Sequence, residues 1–510
     1  MKQIKNTLVL GMLLGLAGCG GAAPNSDGSG SSSGAITSPG SSSSSPSTGS
    51  TSGSTAPSSS GTPSSSGAPS SSGTPSSSGS PSTGSSSGST TPSSSGLSGA
   101  SGTSSSSGGA TASSSSGSSV PSSSSGSGTG AVQAGTLTAG DYDDVLNFTL
   151  YQDYISDYLQ TASASVAVPY VDITQKIPVK ILDASGAAAK GAKITLSTEE
   201  KVLASLRTPA DGVVNIYPVF DQLPASFQIN ITPPDGGAAI TKTLLREQLT
   251  PGNKIEITLP TTVAANTNID VTLVLDTTNS MADEIKYLQA ELAQVFNDIA
   301  ADYAGASIRV GLVAYRDEGD IYVHKEFPFT EDLTRFNADL ASLFAGGGGD
   351  APEAMDQGMN GALSLNWREN STKIMLLVAD APPHNYEIAA TWKAALKARE
   401  QQIHIVPVGA SGLGKRAEFL MRSMAALTHS RYIFLTDDSG VGNSHDEPSV
   451  DCYVVTRLDA SIRRVLASLI KGKREEPTSA EIIRTQGNYN QGVCEPAKPT
   501  SLPTQPAVSE

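Results

Sequence analysis

Between residues 266 and 475 the chain alternates short apolar runs with stretches of helical period, and few folds tolerate that rhythm. The runs 271–275, 308–315, 373–379, 403–408 and 432–435 have the length and apolar density of buried strands, and 323–329 reads as an edge strand. Met281, Ile285, Leu288, Leu292, Val295 and Ile299 recur at the spacing of one helix face. Further helical segments fall at 333–343, 354–365, 387–400, 415–427 and 460–470. Strands and helices in this order predict a doubly wound, Rossmann-like α/β sheet with helices on both faces. Ligands of such sheets sit beyond the carboxyl ends of the strands, at a topological switch point.

Three acid-bearing loops fall at positions that can share that edge. The first is Asp276-Thr277-Thr278-Asn279-Ser280, directly after the run 271–275. Asp276, Thr278 and Ser280 offer carboxylate and hydroxyl oxygens at alternate positions, hard donors suited to Mg²⁺, Mn²⁺ or Ca²⁺. The second is Gly346-Gly347-Gly348-Gly349-Asp350-Ala351-Pro352-Glu353, and the third is Asp380 at the end of the run 373–379. Asp-x-Thr-x-Ser followed by Met281 resembles the metal-ion-dependent adhesion site of von Willebrand factor type A domains. That resemblance covers residues 266–475 and implies a single Mg²⁺-class site. Asp276, Thr278, Ser280 and Asp350 then contribute to the ion, and Asp380 acts through water or a supporting hydrogen bond. Many adhesive members carry Thr where Asp350 stands, so a second carboxylate is expected to weaken binding of acidic ligands. Each of the three Asp residues also has a plainer reading, as a cap of the following helix. His384 reads as an ordinary loop residue or as a contact to a bound partner.

Composition sets the first quarter of the chain apart. From residue 20 to about 130 it is nearly all Ser, Gly, Thr, Pro and Ala, with Asp27 the one charge. Such a segment cannot bury enough apolar surface to offset its ordering entropy, which predicts a disordered linker over 19–135. As a flexible coil of about 110 residues it reaches roughly 60 Å on average. Ahead of it, Lys2 and Lys5 precede an apolar run over 8–16 that is too short to span a bilayer. Leu16-Ala17-Gly18-Cys19 then resembles the lipobox of bacterial lipoproteins. This implies a signal peptide over 1–18, lipidation of Cys19 and, with Gly20 next, an outer-membrane anchor at the periplasmic face or cell surface. Several acyl chains make such anchoring stable.

The formal net charge of −15 lies almost wholly beyond the linker and argues against nucleic acid or anionic membrane as the main partner. Residues 136–164, with Tyr151, Tyr154 and Tyr158 at helical spacing, read as a short helix or packed arm. Over 165–261 the period changes to two, with Gly- and Asp-containing turns, which predicts an antiparallel β-sandwich. It resembles Ig-like modules, including carboxypeptidase-regulatory-like ones, and implies a spacer. Cys452 and Cys494 are either two free thiols or one bridge. Export favours the bridge, which would close a loop of about 40 residues. Residues 476–510 form a C-terminal extension.

Rival chemistries find little support. Gly409-Ala410-Ser411-Gly412-Leu413-Gly414-Lys415 has the spacing of a phosphate-binding loop, but Arg416 stands where a Mg²⁺-binding hydroxyl belongs, and an exported chain meets no ATP. The acidic loop with Asp437, Asp438, Asp446, Glu447 and Asp451 lacks EF-hand spacing. No Cys/His cluster has zinc spacing, and the His residues stand in no nucleophile–base pattern. The expected function is therefore metal-ion-dependent binding of a protein or glycan partner by an anchored lipoprotein with no catalytic residue. The alternatives are a structural scaffold in an envelope assembly and, without supporting residues, a surface hydrolase.

Overall fold

A computed structural model describes residues 133–264 and 267–495. The leader, Cys19 and the linker up to residue 132 lie outside the described residues, as does the chain after 495.

In chain order the elements begin with strand β1 (Thr138–Tyr142) and helix α1 (Phe148–Leu159). Seven short strands follow: β2 (Ile177–Leu182), β3 (Lys193–Ser197), β4 (Val202–Arg207), β5 (Val213–Ile216), β6 (Ser226–Thr232), β7 (Ile240–Leu245) and β8 (Ile255–Thr258). The alternating part runs β9 (Ile269–Asp276), α2 (Ile285–Asp302), β10 (Ile308–Tyr315), β11 (His324–Thr330), α3 (Leu333–Ala341), α4 (Met355–Ser364) and β12 (Thr372–Ala379). It continues with α5 (Ile388–Glu400), β13 (Ile403–Gly409), α6 (Gly414–Leu427), β14 (Tyr432–Thr436), β15 (Tyr453–Arg457), α7 (Leu458–Lys471) and β16 (Arg484–Gln486).

The central sheet has the order β11-β10-β9-β12-β13-β14-β1-β15-β16. Its parallel strands β10-β9-β12-β13-β14 follow the doubly wound pattern in which the first strand is flanked by the second and third. The switch point therefore falls beside the carboxyl end of β9. Successive residues on a strand face opposite sides, and the core divides accordingly. Ile374, Leu376 and Val378 of β12 join Leu288, Leu292 and Phe296 of α2 and Ile462 of α7. Met375, Leu377 and Ala379 join Met359 of α4, Trp392 of α5 and Phe419 of α6.

The sheet reaches beyond the stretch where the sequence alternates. Residues 136–164 contribute α1, as their tyrosines predict, but also β1, which lies between β14 and β15 and is antiparallel to both. Thr-Ala-Gly-Asp-Tyr carries no strand period, so nothing local announces it. Its neighbours fix it. A Cβ on Gly140 would stand 2.5 Å from the Phe434 ring, so only glycine fits there. Glu291 of α2 accepts the backbone N–H groups of Gly135, Thr136 and Leu137 at 2.7, 2.7 and 3.0 Å. Asp141 is buried and pairs with Arg464 at 2.5 Å and Arg431 at 3.1 Å. Burial pushes its carboxyl up, but Arg464, Arg431 and Arg474 outweigh it and hold the group well below the carboxylate range. Beside it, Arg422 pairs with Asp144 at 2.7 Å beneath the Tyr154 ring.

The seven short strands make two small sheets, β5-β2-β8 and β4-β3-β6-β7, around a shared core that includes Ile181, Ile194, Phe227 and Ile229. Two features depart from the expected antiparallel spacer. β2 and β8 pair in parallel. The sheets also do not stand apart, because Arg399 of α5 reaches Asp221 at 2.7 Å and the Asn215 carbonyl at 3.1 Å. Cys452 and Cys494 form a disulfide with Cα atoms 5.4 Å apart, tying the start of β15 to the C-terminal segment. Among the described residues no helix is long and apolar enough to cross a membrane.

Asp141→Ala strands Arg431 and Arg464 without their carboxylate, and a urea titration is expected to show a loss of about 3–5 kcal/mol. Cys494→Ser releases the loop constraint and is expected to lower the unfolding free energy by about 4 kcal/mol on the chain-entropy argument.

Candidate metal centre

β9 carries Asp276 to the carboxyl edge, and the neighbouring β12 ends one residue before Asp380. Asp276 Oδ1 accepts from the Thr278 N–H at 2.9 Å and from the Thr278 hydroxyl at 2.7 Å. The Thr278 and Ser280 hydroxyls lie 3.0 Å apart. A short 3₁₀ turn, Asn279–Asp283, then leads into α2. Asp276, Thr278 and Ser280 are thus one connected row of oxygens.

The glycine loop lies against this row. Gly346 N–H donates to the Thr277 carbonyl at 3.0 Å, and Gly348 N–H donates to Asp320 Oδ2 at 2.8 Å. Gly347 and Gly348 have φ of 81° and 70°. A Cβ on Gly347 would strike the Asp320 carboxylate, and one on Gly348 would come within 3.0 Å of Glu353 Oε1 and 3.5 Å of Thr278 Cβ. The acid this loop turns inward is Glu353. It is buried, and its N–H donates to the Pro382 carbonyl at 3.0 Å, beside Asp380. Asp350 stands exposed on the same loop. Two acids three residues apart gave no sequence signal of which one faces Thr278, because the turn between them decides it.

Electrostatics follow from this crowding. Burial pushes Asp276 up to about 6, with Asp317 adding to the rise. Burial and then the Asp276 charge bring Asp380 to about 7. Glu353 rises to about 9 through burial and the charges of Asp276, Asp317 and Asp380. One oxygen of each carboxyl, Asp276 Oδ2, Asp380 Oδ1 and Glu353 Oε2, is buried without a hydrogen-bond partner. Among the described residues no three His, Cys, Asp or Glu side chains by themselves form a metal-holding group. An ion here would draw on the Thr278 and Ser280 hydroxyls as well as on carboxylates and water. Orphaned anionic oxygens beside hydroxyls fit a hard divalent cation, which would supply the missing positive charge.

A rim surrounds the row. His384 Nε2 lies 2.6 Å from Asp317 Oδ1, and its ring stacks on Tyr386, whose hydroxyl donates to Glu318 at 3.1 Å. Arg316 is buried between the Tyr322 and Phe344 rings and donates to the Phe344 carbonyl at 2.8 Å. Ile321, Phe344 and Tyr386 are 88%, 62% and 67% exposed, an unusual apolar display for a charged edge. His445 bridges Asp437 and Glu284, each at 2.8 Å, and pins the acidic loop to the start of α2. At the phosphate-loop lookalike, Gly414 N–H donates to Asp446 Oδ2 at 2.9 Å, so the start of α6 already holds a carboxylate of its own chain.

Residues 270–443 match the family described as von Willebrand factor A domain, and such a domain is found there. An alpha-protein kinase of Dictyostelium discoideum is 28% identical over 127 residues, which are 24% of this chain and 20% of the kinase. A putative ariadne-like RING finger protein of Acanthamoeba polyphaga mimivirus is 30% identical over 117 residues, 23% of this chain and 11% of that protein. The chain thus spans a fifth or less of the length of these curated relatives. Among solved structures, a pilus adhesin of Lactobacillus rhamnosus GG in an open conformation overlaps 49% of this chain and 32% of its own, at 13% identity and a TM-score of 0.29. Proximal thread matrix protein 1 of the mussel byssus overlaps 32% and 47%, at 12% identity and a TM-score of 0.23.

The raised carboxyls have a consequence for stability. Each holds its proton more tightly in the folded chain than in the unfolded one. Their contribution is therefore fully present below the ordinary carboxyl range and is lost as pH rises through the folded values. With a chelator present, the melting temperature is expected to fall between about pH 4 and about pH 9, and to fall less in Asp276→Asn. Scanning calorimetry of the two proteins checks it.

Proposed function

We propose that the carboxyl edge of the von Willebrand factor A domain binds a protein or glycan partner in a metal-ion-dependent manner, without chemistry of its own. The observation that carries this is the set of buried, unpartnered oxygens on Asp276, Asp380 and Glu353 beside the Thr278 and Ser280 hydroxyls. Mg²⁺ is the favoured ion, with Mn²⁺ or Ca²⁺ as substitutes, because every donor is oxygen. Exposed Ile321, Phe344 and Tyr386 offer the partner apolar contact around the ion. The acids nearby make a carboxylate the least favourable partner group, which extends the expectation attached to Asp350 to Glu353.

Presentation follows from the rest of the chain. The lipobox-like Leu16-Ala17-Gly18-Cys19 would anchor it at the outer membrane, and the Ser/Gly-rich stretch would act as a tether. The scaffold reading makes the opposite prediction in a chelation experiment on envelope extracts. Release of the partner supports adhesion, and an unchanged assembly supports a scaffold.

Calorimetry with Mg²⁺ tests the site itself. Asp276→Ala is expected to abolish binding. Glu353→Gln is expected to shift affinity about tenfold, the scale of a supporting group at a metal site. Asp350→Thr should leave it within about twofold, and a loss as large as that of Glu353→Gln would return Asp350 to the ligand set.

A further inference from the structure

Beside the oxygen row, the carboxyl edge carries a second arrangement, built from groups that solvent reaches. Asp317 and Glu318 come just past β10, Asp356 is the second residue of α4, and Glu387 immediately precedes α5. Glu318 is exposed, and its Oε2 accepts from the Tyr386 hydroxyl at 3.1 Å. Tyr386 packs one ring face on His384, with ring centres 5.1 Å apart and planes 17° apart. It is 67% exposed, so the other face is open. The result is a carboxylate at the rim of an uncovered aromatic face.

Negative charge gathers behind this pair. Asp356 and Glu387 are 4% and 6% exposed, and each keeps one oxygen without a hydrogen-bond partner, Asp356 Oδ1 and Glu387 Oε2. Both feel Glu318. Burial and the Glu318 charge raise the Asp356 carboxyl, and burial, Asp356 and Glu318 bring Glu387 to about 7. The cations nearby are engaged elsewhere. His384 is held by Asp317 at 2.6 Å, Arg416 bonds the Asn385 side chain at 2.9 Å, and Arg316 is held between the Tyr322 and Phe344 rings. Four carboxylates, Asp317, Glu318, Asp356 and Glu387, thus share one imidazole. The exposed apolar residues continue this surface. Asp320 N–H donates to the Asp317 carbonyl at 3.3 Å and closes a turn. Ile321 follows that turn, and Phe344 lies on Arg316, which precedes it.

Resting on the partner-binding reading of this edge, we propose that the partner is a protein and presents an arginine here, its guanidinium stacked on the outer face of Tyr386 and forked on Glu318, with apolar neighbours against Ile321 and Phe344. A guanidinium is flat enough to stack on a ring and carries paired donors for a carboxylate, which a lysine ammonium does not. The atoms it touches are already at the surface. Asp356 and Glu387 act through their field, without opening. A divalent ion would make no use of the ring, and among the described residues no three acids form a metal-holding group. A neutral glycan brings no charge to offset the four carboxylates.

Acetylated and amidated leucine–arginine–leucine, compared with its lysine and citrulline counterparts, probes the subsite in the full chain by NMR titration and calorimetry with Mg²⁺ present. Citrulline keeps the shape of arginine and loses the charge. The arginine peptide is expected to bind saturably and about tenfold tighter than the citrulline one, the margin of a charge-assisted bond over a neutral one. It should bind about threefold tighter than the lysine one, for want of the planar fork. It should also move the Tyr386 ring resonance, which is assigned by its loss in Tyr386→Leu. Glu318→Gln and Tyr386→Leu alter exposed side chains, so the fold is not at stake, and they are expected to weaken the arginine peptide about tenfold and about threefold. Equal binding of the arginine and citrulline peptides, a lysine peptide as tight as the arginine one, no saturable binding, or a Tyr386 resonance that does not move would each overturn the proposal. Calorimetry with Mg²⁺ alone keeps the two readings apart, since Glu318→Gln should bind the ion within about twofold of the unaltered chain. Lost arginine preference with intact Mg²⁺ binding strikes this subsite alone. Arginine preference in a chain that binds no Mg²⁺ supports the subsite and strikes the metal reading alone.

Discussion

Strand β9 is buried along its whole length, and most of what is distinctive here depends on that constraint. A strand covered on both faces can keep charged groups only where something compensates them. β9 carries one Asp near each end, and the two are treated oppositely. Asp270, at the amino end, accepts from Arg309, from the Arg368 backbone and guanidinium, and from Ser371. Burial raises its carboxyl, but these donors outweigh it and bring the group below its ordinary value. Asp276, at the carboxyl end, accepts two bonds from Thr278 but has no cation among the groups that shift it, and burial with the Asp317 charge raises its carboxyl. The same residue type on the same strand is structural at one end and electrostatically incomplete at the other. That asymmetry marks a candidate site more firmly than either burial or charge alone.

Charge compensation of the first kind recurs where β1 enters the sheet. A five-residue strand with little apolar content could not hold a central position by hydrophobic burial alone. Arg431 and Arg464 on Asp141, and Glu291 on three consecutive backbone N–H groups, specify its place instead. Buried ion pairs of this kind contribute little net stability, yet breaking one is costly, so they act chiefly to fix register. β1 and the disulfide bring segments from both sides of the alternating region into the same sheet or onto it. Residues 270–443 therefore do not make up the whole of the central sheet.

The small sheets illustrate a different limit. Their period of two was plain in the sequence, and Ile177, Val179 and Ile181 are buried while Pro178, Lys180 and Leu182 are partly exposed. Where such a module rests is not written in that period. Asp221 and Asn215 meet Arg399 across a long stretch of chain.

The sequence by itself determined the alternating strands and helices from β9 to β14, though not β15 or β16, together with the strand ends bearing Asp276 and Asp380 and the row through Thr278 and Ser280. These are local consequences of apolar period and of residue spacing, which survive in any context that buries one face. Only the tertiary structure decided that β1 belongs in the sheet, that Glu353 rather than Asp350 turns toward Thr278, and that Glu318 meets Tyr386. Each of those depends on a partner remote in sequence or on the φ angles of a glycine loop. Pairwise packing and turn geometry leave no period behind for a reader of the chain to find.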